Sequence, residues 1–278
     1  MHTVKSEDKM GKKLLALDLD GTLTNSEKKI TPRTREAIRK MQEQGHILAL
    51  ASGRPTPGVL SVAKELEMDQ KGGYMLSYNE AKIQDCRTGE VLFQQVMPED
   101  IVPELFAVAR EKNIGMMTYQ DYGIISGEKV DEYMQLEARI NGLTIYPEAD
   151  PVSKLEIPVN KCLGTAEPEY AEKLEVEFRE RFGSRIDVGR SEPFFLELIP
   201  KGVDKANSLA HLCEKLGMTK DDLIACGDGF NDCSMIAYAG LGVAMANAQD
   251  VVKEQADYVT ASNDEDGVAD VIEKFILN

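Results

Sequence analysis

The chain is poor in the residue types that carry several common functions. Its 278 residues include no tryptophan, three histidines and five cysteines, and 32 basic side chains stand against 48 acidic ones. The resulting formal charge of −16 argues against nucleic acid as the main partner, because a phosphate backbone demands a dense lysine and arginine surface. Small phosphorylated ligands stay open, since the local field of a site decides their binding. His2, His46 and His211 are too scattered for a histidine metal site. Cys86, Cys162, Cys213, Cys226 and Cys233 are odd in number and form no Cys-x-x-Cys pair. They fit buried thiols of a reduced, cytoplasmic protein better than a disulfide scaffold. No stretch approaches the roughly 20 apolar residues that span a bilayer, so a membrane is not an expected partner. The polar start, Met1 to Lys13, lacks the apolar centre of a secretory signal, and residues 1–11 read as a tail. What is present is a folding composition: 42% hydrophobic and 29% charged residues, enough for one large or two modest domains.

The hydrophobic pattern gives those domains an order. Leu14 to Leu17 is a short apolar run that halts at Asp18, the mark of a buried parallel strand. A helix is expected from the Thr31 cap and Pro32, with Ala37, Ile38 and Met41 on one face and Gly45 as its stop. Ile47 to Ala51 repeats the apolar run, Val59, Ala63 and Leu66 mark a second helix, and Tyr74 to Tyr78 a third strand. Strand and helix in alternation predict a doubly wound α/β domain with a parallel sheet. From Asp85 the texture changes, with helices expected over 100–112, 129–140 and 169–182 and strands over 116–119 and 123–126. In the 169–182 helix Tyr170, Leu174, Phe178 and Phe182 recur every fourth residue. The first texture returns with an amphipathic helix over 204–216 and strands at 223–226 and 241–244. The reading is a Rossmann-like core, residues 12–84 and 191–278, interrupted by an inserted α+β domain over 85–190, too long for a loop.

Polar clusters sit where these strands end: Asp18 and Asp20, Ser52 and Arg54, and Asp228, Asn231 and Asp232. Lys205 falls in the first turn of a helix, where free N–H groups also favour anions. Alone, each has an ordinary reading. Asp20-Gly21 and Asp228-Gly229 are turn formers, Ser52 a helix cap, and Lys205 a solvated lysine. Together they meet the rule that open α/β sheets bind ligands beyond the carboxyl ends of their strands. Gathered carboxylates repel unless a cation lies among them, and oxygen-only donors point to Mg²⁺ rather than Zn²⁺.

These residues carry a family resemblance. Asp18-Leu19-Asp20-Gly21-Thr22-Leu23, Ser52-Gly53-Arg54-Pro55, Lys205 and Gly227-Asp228-Gly229-Phe230-Asn231-Asp232 resemble the four motifs of the haloacid dehalogenase-like superfamily. Ala244 to Ala248 and Asn263 to Ala269 are similar to the tail of its Cof-type sugar-phosphatase group. The resemblance implies the fold already read, with the insert as a cap domain, and a Mg²⁺-dependent phosphatase acting on small phosphate monoesters of sugars or cofactors. It implies Asp18 as nucleophile and Asp20 as general acid and base. Ser52 and Lys205, with Arg54, would bind phosphate. Asp18, Asp228 and the Asp20 carbonyl would bind the metal, with Thr22, Asn231 and Asp232 as supports. Two readings stand beside it: a phosphomutase or phosphotransferase of the same fold, and a non-catalytic phosphometabolite-binding regulator. The oligomeric state is not legible. Two positions depart from the family pattern. Glu80 follows Asn79 where glycine is usual; such a carboxylate would either disfavour highly anionic substrates at the mouth of the site or face solvent, and solvent is expected because glutamate is seldom buried. Ala206 follows Lys205 in place of another glycine, with no loss of activity expected, alanine being a good helix former.

Overall fold

The computed structural model describes residues 11–277, so the expected tail lies, Gly11 apart, outside the described residues. Fourteen strands occur among them. In chain order they are β1 (Leu14–Leu17), β2 (Ile47–Ala51), β3 (Tyr74–Ser77), β4 (Lys82–Asp85), β5 (Val91–Gln94), β6 (Gly115–Gln120), β7 (Gly123–Ser126), β8 (Ile145–Pro147), β9 (Cys162–Thr165), β10 (Ile186–Glu192), β11 (Phe195–Pro200), β12 (Leu223–Gly227), β13 (Leu241–Ala244) and β14 (Tyr258–Val259). The chain forms two compact units, residues 1–49 with 213–278 and residues 50–212. β2 passes from one into the other.

The first unit holds the strand order β14-β13-β12-β1 followed by the start of β2, whose Ile47 N–H donates to the Lys13 carbonyl at 2.9 Å. Every pair from β14 to β1 is parallel. All four side chains of β1 are fully buried, as expected of a strand covered on both faces. The helix Pro32–Glu43 is started by Thr31, whose hydroxyl accepts from Thr34 N–H, and buries Thr34, Ala37, Ile38 and Met41. It packs against the closing helix Gly267–Phe275.

In the second unit Ser52 N–H, just past β2, donates to Leu76 of β3. β4 and β5 then extend β3 as an antiparallel meander. A separate six-stranded sheet has the order β10-β11-β9-β6-β7-β8, antiparallel except for β7 with β8. One apolar cluster joins the helices Ile101–Glu111 and Pro168–Phe182 to this sheet through Leu105, Phe106, Leu174 and Phe178. Another gathers Tyr119, Met134, Leu163 and Phe195. The face of the Pro168–Phe182 helix is set by Ala171, Leu174, Phe178 and Phe182, whereas Tyr170 is 39% exposed. The true period of 3.6 residues drifts off a strict four-residue spacing by the start of the helix, and alanine takes the inward position. This is an α/β fold with a parallel sheet and an α+β insertion. No helix among the described residues is long and apolar enough to cross a membrane.

Candidate active site

β1 and β12 are neighbours in register, with Leu17 opposite Cys226. Asp18 and Asp228 therefore leave adjacent parallel strands at the same edge. The strand order reverses at β1, since the chain proceeds to β2 on one side and returns as β12 on the other, and such a switch point is where open sheets bind ligands. Asp18 is 7% exposed and Asp232 1% exposed. One carboxylate oxygen from each of Asp18, Asp228 and Asp232 lies within 4.8 Å of the others.

The neighbours hold this cluster in place. Thr22 Oγ1 donates to Asp228 Oδ1 at 2.9 Å, which fixes that carboxylate. Asp232 Oδ2 accepts from the N–H groups of Asp228 and Gly229, both at 2.9 Å. Gly21 stands at φ 85°, and a Cβ there would come within 2.4 Å of Asp228 Oδ2. A side chain at this position would fill the space beside the carboxylates. Three hard oxygen donors around a space kept open by a glycine fit a Mg²⁺ ion. Asp20 is more exposed and pairs with Lys28 Nζ at 2.8 Å. Asn231 is exposed, its amide oxygen lying over Gly229.

A further set of side chains braces the turn after β1. Asn247 Nδ2 donates to Gly21 O at 2.8 Å, and Asn263 Nδ2 to Thr24 O at 2.9 Å. Asn263 N–H donates to Asn247 Oδ1, linking the two. Asp264 accepts from Ser26 N–H and Oγ, and Asp266 from Thr31 Oγ1. Sequence reasoning quoted these stretches only as similar to a family tail and gave them no role. The signal was their density of Asn and Asp, residues whose side chains bond readily to nearby backbone.

In the second unit Ser52 is 3% exposed, and its Oγ accepts from Arg54 N–H at 3.2 Å. Arg54 is half-buried. Lys205 is 2% exposed and donates through Nζ to Ala51 O at 3.0 Å, which ties it to the strand end that carries Ser52. Glu80 departs from expectation. It is 2% exposed rather than solvated, with Oε1 3.7 Å from Lys205 Nζ. The physical reason is its backbone, left-handed at φ 70°, which ends the strand abruptly and lets a nearby ammonium receive the carboxylate.

A buried network lies beside this group. Lys161 Nζ donates to Asn79 Oδ1 at 2.9 Å, to Gly53 O at 3.3 Å and to Glu197 Oε1 at 2.5 Å. Asn79 Nδ2 closes the ring on Glu197 Oε2 at 2.9 Å. Burial raises the Glu197 carboxyl, but the Lys161 charge and hydrogen bonds from Lys161, Ser191 and Asn79 outweigh it, leaving a net lowering. The sequence reading did not single out Lys161 or Glu197, for which no local spacing pattern exists.

Residues 15–272 match the haloacid dehalogenase-like hydrolase family. The chain is a haloacid dehalogenase-like hydrolase. A crystal structure of such a hydrolase from Bacteroides thetaiotaomicron superposes with a TM-score of 0.92 at 47% identity, covering 95% of this chain and 99% of that one. A Bacillus subtilis 5-amino-6-(5-phospho-D-ribitylamino)uracil phosphatase is 31% identical over 95% of this chain and 96% of its own length. A subclass IIB sugar phosphatase of the same superfamily superposes with a TM-score of 0.80 at 26% identity, covering 95% and 98% of the two chains. Among its relatives this hydrolase belongs with the phosphatases, and it is an enzyme of that branch.

Proposed function

We propose that this hydrolase is a Mg²⁺-dependent phosphatase that cleaves small phosphate monoesters of sugars or cofactors through an aspartyl-phosphate. The gathering of Asp18, Asp228 and Asp232 oxygens within 4.8 Å at the switch-point edge is the observation that carries the reading. Asp18 is the nucleophile: a carboxylate is ionised at neutral pH and needs no base to activate it. Its oxygen bonds to phosphorus as the ester P–O bond breaks, and Asp20 delivers a proton to the departing oxygen. Asp20 then takes a proton from the water that attacks phosphorus, and Asp18 is released with orthophosphate. Asp18, Asp228 and the Asp20 carbonyl would hold Mg²⁺, with Asp232 and Thr22 orienting Asp228 and Asn231 beside them. When bound, the ion neutralises charge so that two anions can approach.

Ser52 and Lys205 hold the phosphoryl oxygens, one by hydrogen bond and one by charge, and Arg54 offers a fork to phosphate or to the substrate's body. Residues 85–190 serve as a cap domain on a core of 12–84 and 191–278, and cap side chains select the leaving group. A small phosphorylated metabolite in the cytoplasm suits this assignment. The experiment is phosphate release from a panel of sugar and cofactor monoesters, with Mg²⁺ or EDTA, in wild type and Asp18→Asn. Release that needs Mg²⁺ and falls at least about a thousandfold in the variant is expected. Wild-type turnover in Asp18→Asn would sink the covalent route, and ester phosphate passed to a sugar hydroxyl instead of water would reassign the enzyme as a mutase.

A further inference from the structure

The turn that follows β3 passes through three consecutive non-glycine residues in the left-handed region: Tyr78 (φ 57°), Asn79 (φ 57°) and Glu80 (φ 70°). Such a run persists only where the surroundings over-determine it. Here they do. Tyr78 N–H donates to Arg54 O at 2.9 Å, Asn79 is held on both sides of its amide by Lys161 and Glu197, and Ser208 Oγ donates to Glu80 O at 2.8 Å. The outcome is a carboxylate 2% exposed, brought to 3.7 Å from the nitrogen of an equally buried lysine. The fold does not ask for it. Glycine adopts this φ without strain, and a buried carboxylate carries a desolvation penalty. Its place 3.7 Å from the Lys205 nitrogen points to an effect on that lysine.

We propose that Glu80 sets the anion affinity of Lys205: by offsetting the ammonium it admits a single phosphoryl group, eases release of orthophosphate and disfavours diphosphates. This rests on the reading of Lys205 as a phosphoryl-oxygen ligand and deepens it. With the carboxylate in place, an incoming phosphate meets an ammonium that Glu80 partly offsets. With it gone, the same phosphate meets a more positive field in a medium where water screens little.

The test is calorimetric titration of wild type, Glu80→Gln and Glu80→Gly with orthophosphate and with pyrophosphate, each in the presence of Mg²⁺, alongside KM and kcat for a monoester. Glu80→Gln keeps the shape and removes the charge. Glu80→Gly suits the φ of 70° and decides the matter if the glutamine variant fails to fold. Orthophosphate is expected to bind about tenfold tighter in the variants, and pyrophosphate to gain more, because a charge is removed at close range. KM falls, and kcat falls with it as product lingers. Adding Lys205→Met to Glu80→Gln abolishes the gain if the effect runs through the lysine. Unchanged or weaker orthophosphate binding in both folded single variants overturns the proposal, as does a gain that survives Lys205→Met. Were wild type to bind no orthophosphate and hydrolyse no ester, the phosphatase reading would fall first; binding and turnover in wild type with matching variants sinks the Glu80 assignment alone.

Discussion

At the scale of single residues, the carboxylate cluster depends on an atom that is not there. Gly21 adopts φ 85° and leaves empty the position 2.4 Å from Asp228 Oδ2 where a Cβ would stand. Gly21→Ala adds both backbone strain and a collision. We expect a loss of about 1–3 kcal/mol in stability and a weaker dependence of melting temperature on added Mg²⁺, read by thermal denaturation with and without the metal. A variant whose Mg²⁺ shift equals that of wild type would show that Asp228 can move without harm to the proposed cation site. Glu80 marks where single-residue reasoning stops. Its chemistry says solvent, and no neighbour in sequence announces a buried lysine 3.7 Å away. The strand-end positions of Asp18 and Asp228 were legible for the opposite reason. Each follows an apolar run or precedes a glycine, so the chain itself advertises a strand end.

At the scale of elements, the Lys161–Glu197–Asn79 ring joins β11, the approach to β9, the turn after β3 and the Gly53 carbonyl. Removing one partner strands a buried charge, so Lys161→Met should cost about 3–5 kcal/mol in chemical denaturation. Because the Glu197 carboxyl is lowered from its ordinary 4.5, its contribution is fully present above that value and is lost as pH falls through the lower folded one. Melting temperature measured from pH 6 down to pH 3 should therefore decline below about pH 4.5, with a shallower decline in Glu197→Gln, which starts from a lower stability. Equal slopes would place the acid-labile group elsewhere. Several strands of this unit were the least visible in the sequence. β4 and β5 are short and flanked by polar turns, and β10 ends in Arg190, Ser191 and Glu192, all polar. β9 is buried at every position but only four residues long, too brief to separate from a buried helix segment by periodicity. β1, β2, β12 and β13, each a short apolar run, were legible in the sequence, whereas the two-residue β14 was not.

At the scale of the molecule, all five thiols are unpaired by disulfides, and four of them are buried. Burial pushes Cys162 up to about 12, with a smaller opposing effect from Thr118. Burial, then the Asp85 and Asp69 charges, does the same for Cys86, also to about 12. Since the thiolate is the reactive form, native protein at pH 8 should react only slowly with a thiol reagent and rapidly after denaturation. Fast labelling of the folded protein, located by peptide mass spectrometry, would identify a thiol that its surroundings leave accessible.

The division of the chain also has a consequence for how it is born. Residues 1–49 complete their unit only with residues 213–278, and Thr22 reaches Asp228 across 206 residues of chain. A ribosome delivers the N-terminal strand long before its β12 neighbour exists, whereas residues 50–212 hold their own contacts. Synthesis from the N-terminus thus favours ordering the middle of the nascent chain first, with β1 awaiting β12. The strand that leads to Asp18 is made well before β12 and is among the last to be paired. A polypeptide released before residue 228 carries Asp18 without Asp228, and so cannot assemble the carboxylate cluster: translation through Asp232 is the step that completes the proposed cation site.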